Sequence, residues 1–146
     1  MDSATVADRL ALHDLVVAYA SMADCRDASG FTDLFLPDAT LTARRGDGEP
    51  AVYRGTARLA EIPERLSRYD QTFHAVTNDF AEVDGDHATG GASCQAHHLT
   101  NSTDGATDLV LTIRYADTYQ HTPSGWRFAT RAVHIIWTTE QPVTLA

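Results

Sequence analysis

Gln71-Thr-Phe-His-Ala-Val-Thr-Asn-Asp-Phe-Ala-Glu-Val-Asp84-Gly85-Asp-His-Ala-Thr-Gly-Gly-Ala-Ser-Cys-Gln-Ala-His-His-Leu-Thr100 reads as one long hairpin. Two alternating segments flank Asp84-Gly85, a dipeptide that tolerates the positive φ angles of a two-residue turn. Residues 71–83 and 87–100 are therefore expected as antiparallel strands. With Asp84 and Gly85 as the turn, Thr72 faces His97, His74 faces Gln95, Val76 faces Ser93 and Asn78 faces Gly91. Strand side chains alternate, so His74, Asn78, Gln95 and His97 share one face, and His98 falls on the other with Phe73 and Ala75. A β-bulge would exchange His97 and His98, and Gly90-Gly91 is a natural place for one.

A second hairpin, 109–121 and 126–139, follows the polar loop 101–106 and turns at Pro123-Ser124-Gly125. With Pro123 and Ser124 as the turn, Ile113, Tyr115, Asp117, Tyr119, Phe128, Ala132 and His134 line one face. Thr112, Arg114, Thr118, Arg127, Arg131 and Val133 line the other. His134, Asp117 and Arg114 read as a cross-strand polar cluster, and His13, His87 and His121 as surface residues. Upstream, Ser3 and Thr5 are candidate caps for a helix over 5–23, in which Val6, Leu10, Val17 and Ala20 recur at helical spacing. Leu12, Leu15, Val16 and Tyr19 widen its apolar stripe. Asp27 caps a second helix, 28–35, that Pro37 ends. Short strands at 39–44 and 51–54 flank a Gly46–Gly48 loop, and a third helix covers 56–67. Helices first and hairpins after give an α+β domain, with helices on one face of a curved antiparallel sheet.

The 146 residues suit one domain spanning 1–146. An excess of 20 acidic over 11 basic residues, a net charge of −9, argues against nucleic acid and against an anionic membrane surface as partners. No apolar run approaches the ~20 residues of a membrane span, and Met1-Asp2-Ser3 does not open a signal peptide, so a cytoplasmic protein is expected. Cys25 and Cys94 are far apart and read as reduced thiols rather than a disulfide. His97 and His98 are adjacent, point to opposite faces of a strand and cannot chelate one ion together, and no phosphate or dinucleotide loop is present. Acid–base chemistry with no metal and no cofactor is the remaining expectation.

Several motifs carry a resemblance. Tyr19-Ala-Ser-Met-Ala-Asp24-Cys-Arg-Asp27, Leu34-Phe35-Leu-Pro-Asp38-Ala39, Thr72-Phe-His74 with Thr77-Asn78, Glu82-Val-Asp-Gly-Asp86, and Gly125-Trp126-Arg127 with Arg131 resemble the SnoaL-like branch of the nuclear-transport-factor-2-like superfamily over about residues 5–137. The resemblance implies a cone, an α+β barrel in which a strongly bent antiparallel sheet wraps an N-terminal helix around an apolar pocket. Around the polar positions the scytalone dehydratases and hexachlorocyclohexane dehydrochlorinases are most similar. They imply a catalytic pair at Asp24 and His74, an Arg deeper in the pocket at Arg131, and a second His at His97 or His98. The dehydratases' pocket Asn falls near Tyr115, a departure. Relatives that assemble through the outer face of the sheet imply a homodimer or homotrimer.

The chemistry is sensible from the residues alone. A neutral imidazole is a good base near neutral pH, and a carboxylate on its other nitrogen fixes the tautomer and stabilises the imidazolium. Tyr19, Tyr115 and His97 are candidate donors to a substrate oxygen, and Arg131 is a candidate partner for a developing anion. The expectation is a cofactor-independent lyase or isomerase that eliminates water or halide from a small, mostly apolar, oxygenated molecule. A polyketide-type cyclase using the same pair is the alternative among enzymes, and a non-catalytic binding or assembly module is the other class. An enclosed pocket above the pair marks the enzyme, and a pocket filled by Phe73 or Tyr115 marks the module.

Overall fold

The computed structural model describes residues 2–146. Helix α1 runs Ser3–Asp24 and is capped by Asp2, whose carboxylate accepts the Thr5 amide at 2.8 Å, rather than by Ser3 or Thr5. Leu12, Leu15, Val16, Tyr19, Ala20 and Ala23 are its buried stripe. Val6, Leu10 and Val17, expected in that stripe, are exposed. They form a separate apolar row roughly a third of a turn around the helix, and the sheet covers only one side.

The end of α1 is tied off by two backbone bonds, Asp27 N–H to Met22 O and Arg26 N–H to Ala23 O. This is a Schellman pattern, and it puts Arg26 at φ 57° where glycine is usual. Helix α2, Ala28–Thr32, starts at the Asp27 cap as expected but stops short of Phe35. Phe35 instead opens strand β1, Phe35–Arg45, with Pro37 inside it. Pro37 falls where pairing with the neighbouring strand is broken, between Phe35 and Thr40, so its missing N–H costs no ladder bond. Strand β2 is Ala51–Arg54. The single helix expected over 56–67 is two, α3 (Thr56–Leu59) and α4 (Glu61–Leu66), because Pro63 fits only in the first turn of a helix.

The remaining strands are β3 (Gln71–Asp84), β4 (His87–Ser102), β5 (Gly105–Thr122) and β6 (Gly125–Val143). The six-stranded sheet has the order β2-β1-β6-β5-β4-β3. Each neighbouring pair is antiparallel except β1–β6, which is parallel, so the expected antiparallel sheet is a mixed one. The α+β class holds, and the sheet curls over α1 without closing into a barrel.

Two register details decide which side chains face α1. Asp84 pairs with His87, so the turn residues are Gly85 and Asp86 rather than Asp84 and Gly85. Further along, β3 advances three residues from Val76 to Asp79 while β4 advances two from Cys94 to Ala92, and this bulge changes the parity. It lies at Thr77-Asn78, not at Gly90-Gly91. Those glycines serve close approach, since a Cβ on Gly90 would collide with the Phe80 carbonyl oxygen. The pairs at the start of the hairpin are Thr72–His98, Phe73–His97 and His74–Ala96. His98 therefore joins Thr72 and His74 on the inner face, and His97 faces outward.

The second hairpin turns at Pro123-Ser124 as expected, and a shift between Thr118 and Tyr119 then places an extra residue on β6. Arg131 consequently pairs with Asp117 and points inward with Tyr115, Tyr119 and Phe128, while Ala132 and His134 turn outward. The proposed cluster of His134, Asp117 and Arg114 is divided by the sheet, with Asp117 inside and the Arg114–His134 pair outside.

The narrow end of the cone is solid. Tyr19, Phe31, Phe35, Tyr115, Tyr119 and Phe128 form one ring cluster, with centroids 5.0–6.3 Å apart for the contacts of Tyr19. In its middle the Arg131 guanidinium stands 3.7 Å from the Tyr115 ring centre and 4.1 Å from that of Tyr19. Its charge is matched by Asp117, with Nε 3.0 Å from Oδ1, and both side chains are fully buried. The Tyr119 hydroxyl donates to the same carboxylate at 2.9 Å. Burial pushes the Asp117 carboxyl above its ordinary value, and Arg131 and Tyr119 offset part of that rise.

A buried ion pair is weak evidence of stability, yet halving it is expensive. Arg131→Met is expected to lower the unfolding free energy by about 3–5 kcal/mol in urea titrations, because Asp117 is left charged among aromatic rings. Arg131→Met combined with Asp117→Leu should recover most of that loss. A single variant as stable as the parent would show that Asp117 needs no counterion.

Candidate functional site

Asp24 is the last residue of α1, and its carboxylate reaches across to the start of β3. It accepts three hydrogen bonds there: the Thr72 hydroxyl at 3.0 Å, the His74 amide at 2.9 Å and the His74 ring Nδ1 at 2.6 Å. Thr72 and His74 are two apart on a strand, so both face the helix. Burial works against the charge on Asp24, but the bonds from His74 and Thr72 outweigh it and hold the carboxyl below its ordinary value. An ionised Asp24 fixes the proton of His74 on Nδ1 and leaves Nε2 as the basic nitrogen. The His74 side chain is 9% exposed and Asp24 24%, so the pair is partly open to solvent.

His98 is the second imidazole on this face, with its ring centre 6.0 Å from that of His74. Its Nδ1–H donates to the Leu109 carbonyl at 3.1 Å, which again leaves Nε2 unprotonated. Burial lowers the pKa of His98, the bond to Leu109 offsets part of that, and the nearby His74 adds to the lowering. The Tyr69 ring lies against it, tilted by 57° with centres 4.7 Å apart, and the Tyr69 hydroxyl accepts from Arg68 at 3.0 Å, which leaves its own proton to donate. Val76, Leu109, Val133 and Ile135 are partly buried apolar residues on the same inner face.

Of the residues singled out in the sequence, Asp24, His74 and His98 are brought together. Tyr19, Tyr115 and Arg131 face inward but belong to the packed core below, each fully or nearly fully buried. Burial pushes the Tyr19 hydroxyl up to about 12, the Cys94 thiol up to about 11 and the Tyr115 hydroxyl well above its ordinary value. Arg131 is thus stacked beneath the two tyrosines rather than open to a substrate. His97 is on the outer face, against Asp108, and is no part of this site. Its expected place here is corrected by the bulge at Thr77-Asn78.

Three contributors lay outside the sequence reading. Thr72 was visible in the Thr72-x-His74 spacing, which places two polar side chains on one face. Arg26 donates to the carbonyl oxygens of Asp24, Leu66 and Tyr69 at 2.8, 3.0 and 3.2 Å, which locks the end of α1 to the segment carrying Tyr69. Tyr69 itself carried no local signal. Among the described residues, no group of three or more His, Cys, Asp or Glu is placed to hold a metal ion, and no helix is long and apolar enough to cross a membrane.

The likenesses to other proteins agree on the architecture. An uncharacterised protein of Mycobacterium tuberculosis is 28% identical over 128 residues, which cover 88% of this chain and 85% of the relative. Hexachlorocyclohexane dehydrochlorinase LinA type 3 of Novosphingobium barchaimii superposes with a TM-score of 0.80 at 20% identity, covering 97% of this chain and 96% of that one. A candidate scytalone dehydratase of Novosphingobium aromaticivorans does so with a TM-score of 0.74 at 20% identity, covering 93% and 89%. At these identities the two structures speak to fold alone. Residues 4–132 match the SnoaL-like domain, and the chain belongs to that family.

Proposed function

We propose that this domain is a cofactor-independent lyase or isomerase, and that it eliminates water or halide from a small apolar oxygenated substrate. The observation that carries the reading is the 2.6 Å contact between Asp24 Oδ1 and His74 Nδ1, with Nε2 of His74 left on the inner face. In this mechanism Nε2 removes a proton from the carbon beside the bond that breaks. The electron pair forms the new double bond, and the departing group leaves with its own electrons. The ionised Asp24 stabilises the imidazolium so formed. His98, neutral and bonded through Nδ1–H, orients a substrate hydroxyl as an acceptor, and the Tyr69 O–H donates to a substrate oxygen. Val76, Leu109, Val133 and Ile135 supply the apolar wall.

A cyclase of polyketide-type intermediates begins with the same proton removal and differs only in what the carbanion attacks. The filled narrow end favours a second reading, a non-catalytic ligand-binding module. Tyr115, Tyr19 and Arg131 occupy the depth that an enclosed pocket would need. In the enzymatic reading the substrate is held near the wide end, beside His74 and His98.

His74→Ala and Asp24→Asn are each expected to lower kcat/KM by about 10²–10⁴-fold, with near-native circular dichroism. The readout is turnover of activated β-hydroxy and β-halo carbonyl compounds. Parent-level turnover in either variant, or none in the parent against any such compound, rejects the elimination in favour of the module.

Acid stability checks the charge on Asp24 independently. Because its carboxyl is held low, the folded chain binds fewer protons than the unfolded chain near pH 4. The resulting stability is complete above the unfolded carboxyl pKa, about 4, and is lost as pH falls through the lower folded value. Asp24→Asn should remove that part of the slope in chemical unfolding measured between pH 6 and pH 2.

A further inference from the structure

A second histidine–carboxylate pair lies on the opposite face of the sheet. His97 Nδ1 stands 2.6 Å from Asp108 Oδ2, and the other Asp108 oxygen accepts the His98 amide at 3.2 Å. The Asp108 side chain is 6% exposed and the His97 side chain 29%. The carboxylate is thus hidden and the imidazole presented. With Nδ1–H committed to Asp108, the open nitrogen of His97 is Nε2, a hydrogen-bond acceptor. A recess of about 450 Å³ lies beside it, lined by Gln71, Phe73, His97, Leu99 and Asp108, and by Thr72 between Gln71 and Phe73, whose hydroxyl is held by Asp24 on the inner face. The Phe73 ring is 6.1 Å from that of His97 and is 62% exposed, so its face is available to a ligand.

We propose that this recess is a second ligand site, separate from Asp24 and His74, which binds a small aromatic molecule bearing a phenolic or enolic hydroxyl. The ligand's ring lies against Phe73 and Leu99, and its hydroxyl donates to Nε2 of His97. The volume falls within the usual range for small-molecule sites and suits one or two rings. Charge selects the neutral hydroxyl over a carboxylate: an anion would approach a chain of net charge −9 with Asp108 directly beneath. A built pair of this kind, in which a buried carboxylate sets the tautomer of an open imidazole beside an exposed ring, has no counterpart in the packing of the core.

The probe is 2-naphthol, titrated into the full chain by calorimetry, with 2-naphthoate as the charged comparator. Saturable one-to-one binding of 2-naphthol is expected, with 2-naphthoate at least about tenfold weaker. His97→Ala and Phe73→Ala should each weaken 2-naphthol about tenfold or more, the worth of one good hydrogen bond or ring contact. His74→Ala should leave the affinity within about twofold. Phe73 is on the surface, so its variant decides the matter if His97→Ala does not fold. Absence of saturable binding, as when a second copy of the chain covers this face, overturns the proposal. So does unchanged binding in both outer-face variants, equal binding of 2-naphthoate, or loss of binding in His74→Ala.

Discussion

Asp24 ties the end of α1 to the sheet, as Trp126 donating to Asp8 at 2.9 Å and His13 against Asp79 at 3.1 Å tie the helix further back. Packing alone would let α1 slide along the curled surface, since apolar contact has no direction. Asp24 fixes its last turn at three points: a hydroxyl, a backbone amide and a ring nitrogen, all within three residues of β3. The amide sets where the strand lies, and the ring nitrogen sets how the imidazole is turned. Behind it, Arg26 holds a left-handed backbone conformation that costs a non-glycine residue about 1–2 kcal/mol. Its guanidinium offsets that strain with bonds to three carbonyl oxygens, one of them that of Asp24 itself. Strain and compensation meet at the same helix end, and the geometry of the pair follows from both.

The alternation of strand side chains makes membership of the site a question of parity. The elements were legible because their signals are local: Asp27 caps α2, Pro123-Ser124 makes a turn, and long alternating runs make strands. The Asp24–His74 pair was legible through the family resemblance, because the two residues are 50 apart and no local signal links them. Which of His97 and His98 faces inward was not, because one extra residue at Thr77-Asn78 inverts every assignment beyond it. Nothing in Thr77-Asn78 announces a bulge, whereas Gly90-Gly91 has the composition of one and is used for close approach instead. The same holds at β6, where a shift near Thr118 and Tyr119 carries Arg131 from the outer face to the inner. Pro63, by contrast, was a local signal: a helix over 56–67 would have placed proline in its interior.

Arg131 shows why facing inward is not the same as lining a pocket. A guanidinium can be buried if rings and a carboxylate replace its water, and Tyr19, Tyr115 and Asp117 do so here. Those partners then fill the narrow end. The polar edge beside them is set by the rings of His74, His98 and Tyr69. The aromatic cluster gives that edge a rigid floor, because rings packed around a paired charge cannot shift without exposing it.

Of the three histidine–carboxylate pairs among the described residues, Asp24–His74 and Asp108–His97 share one chemistry with opposite exposure. Inside, the imidazole is the more buried member and the carboxylate the more open. Outside, Asp108 is buried and the His97 ring is open. The pairs are also physically joined, since Asp108 holds the ring of His97 with one oxygen and the backbone amide of His98 with the other. Asp108 thus fixes both the ring that faces outward and the backbone of the residue whose ring faces inward. A sheet is one residue thick, and adjacent residues on β4 serve opposite faces.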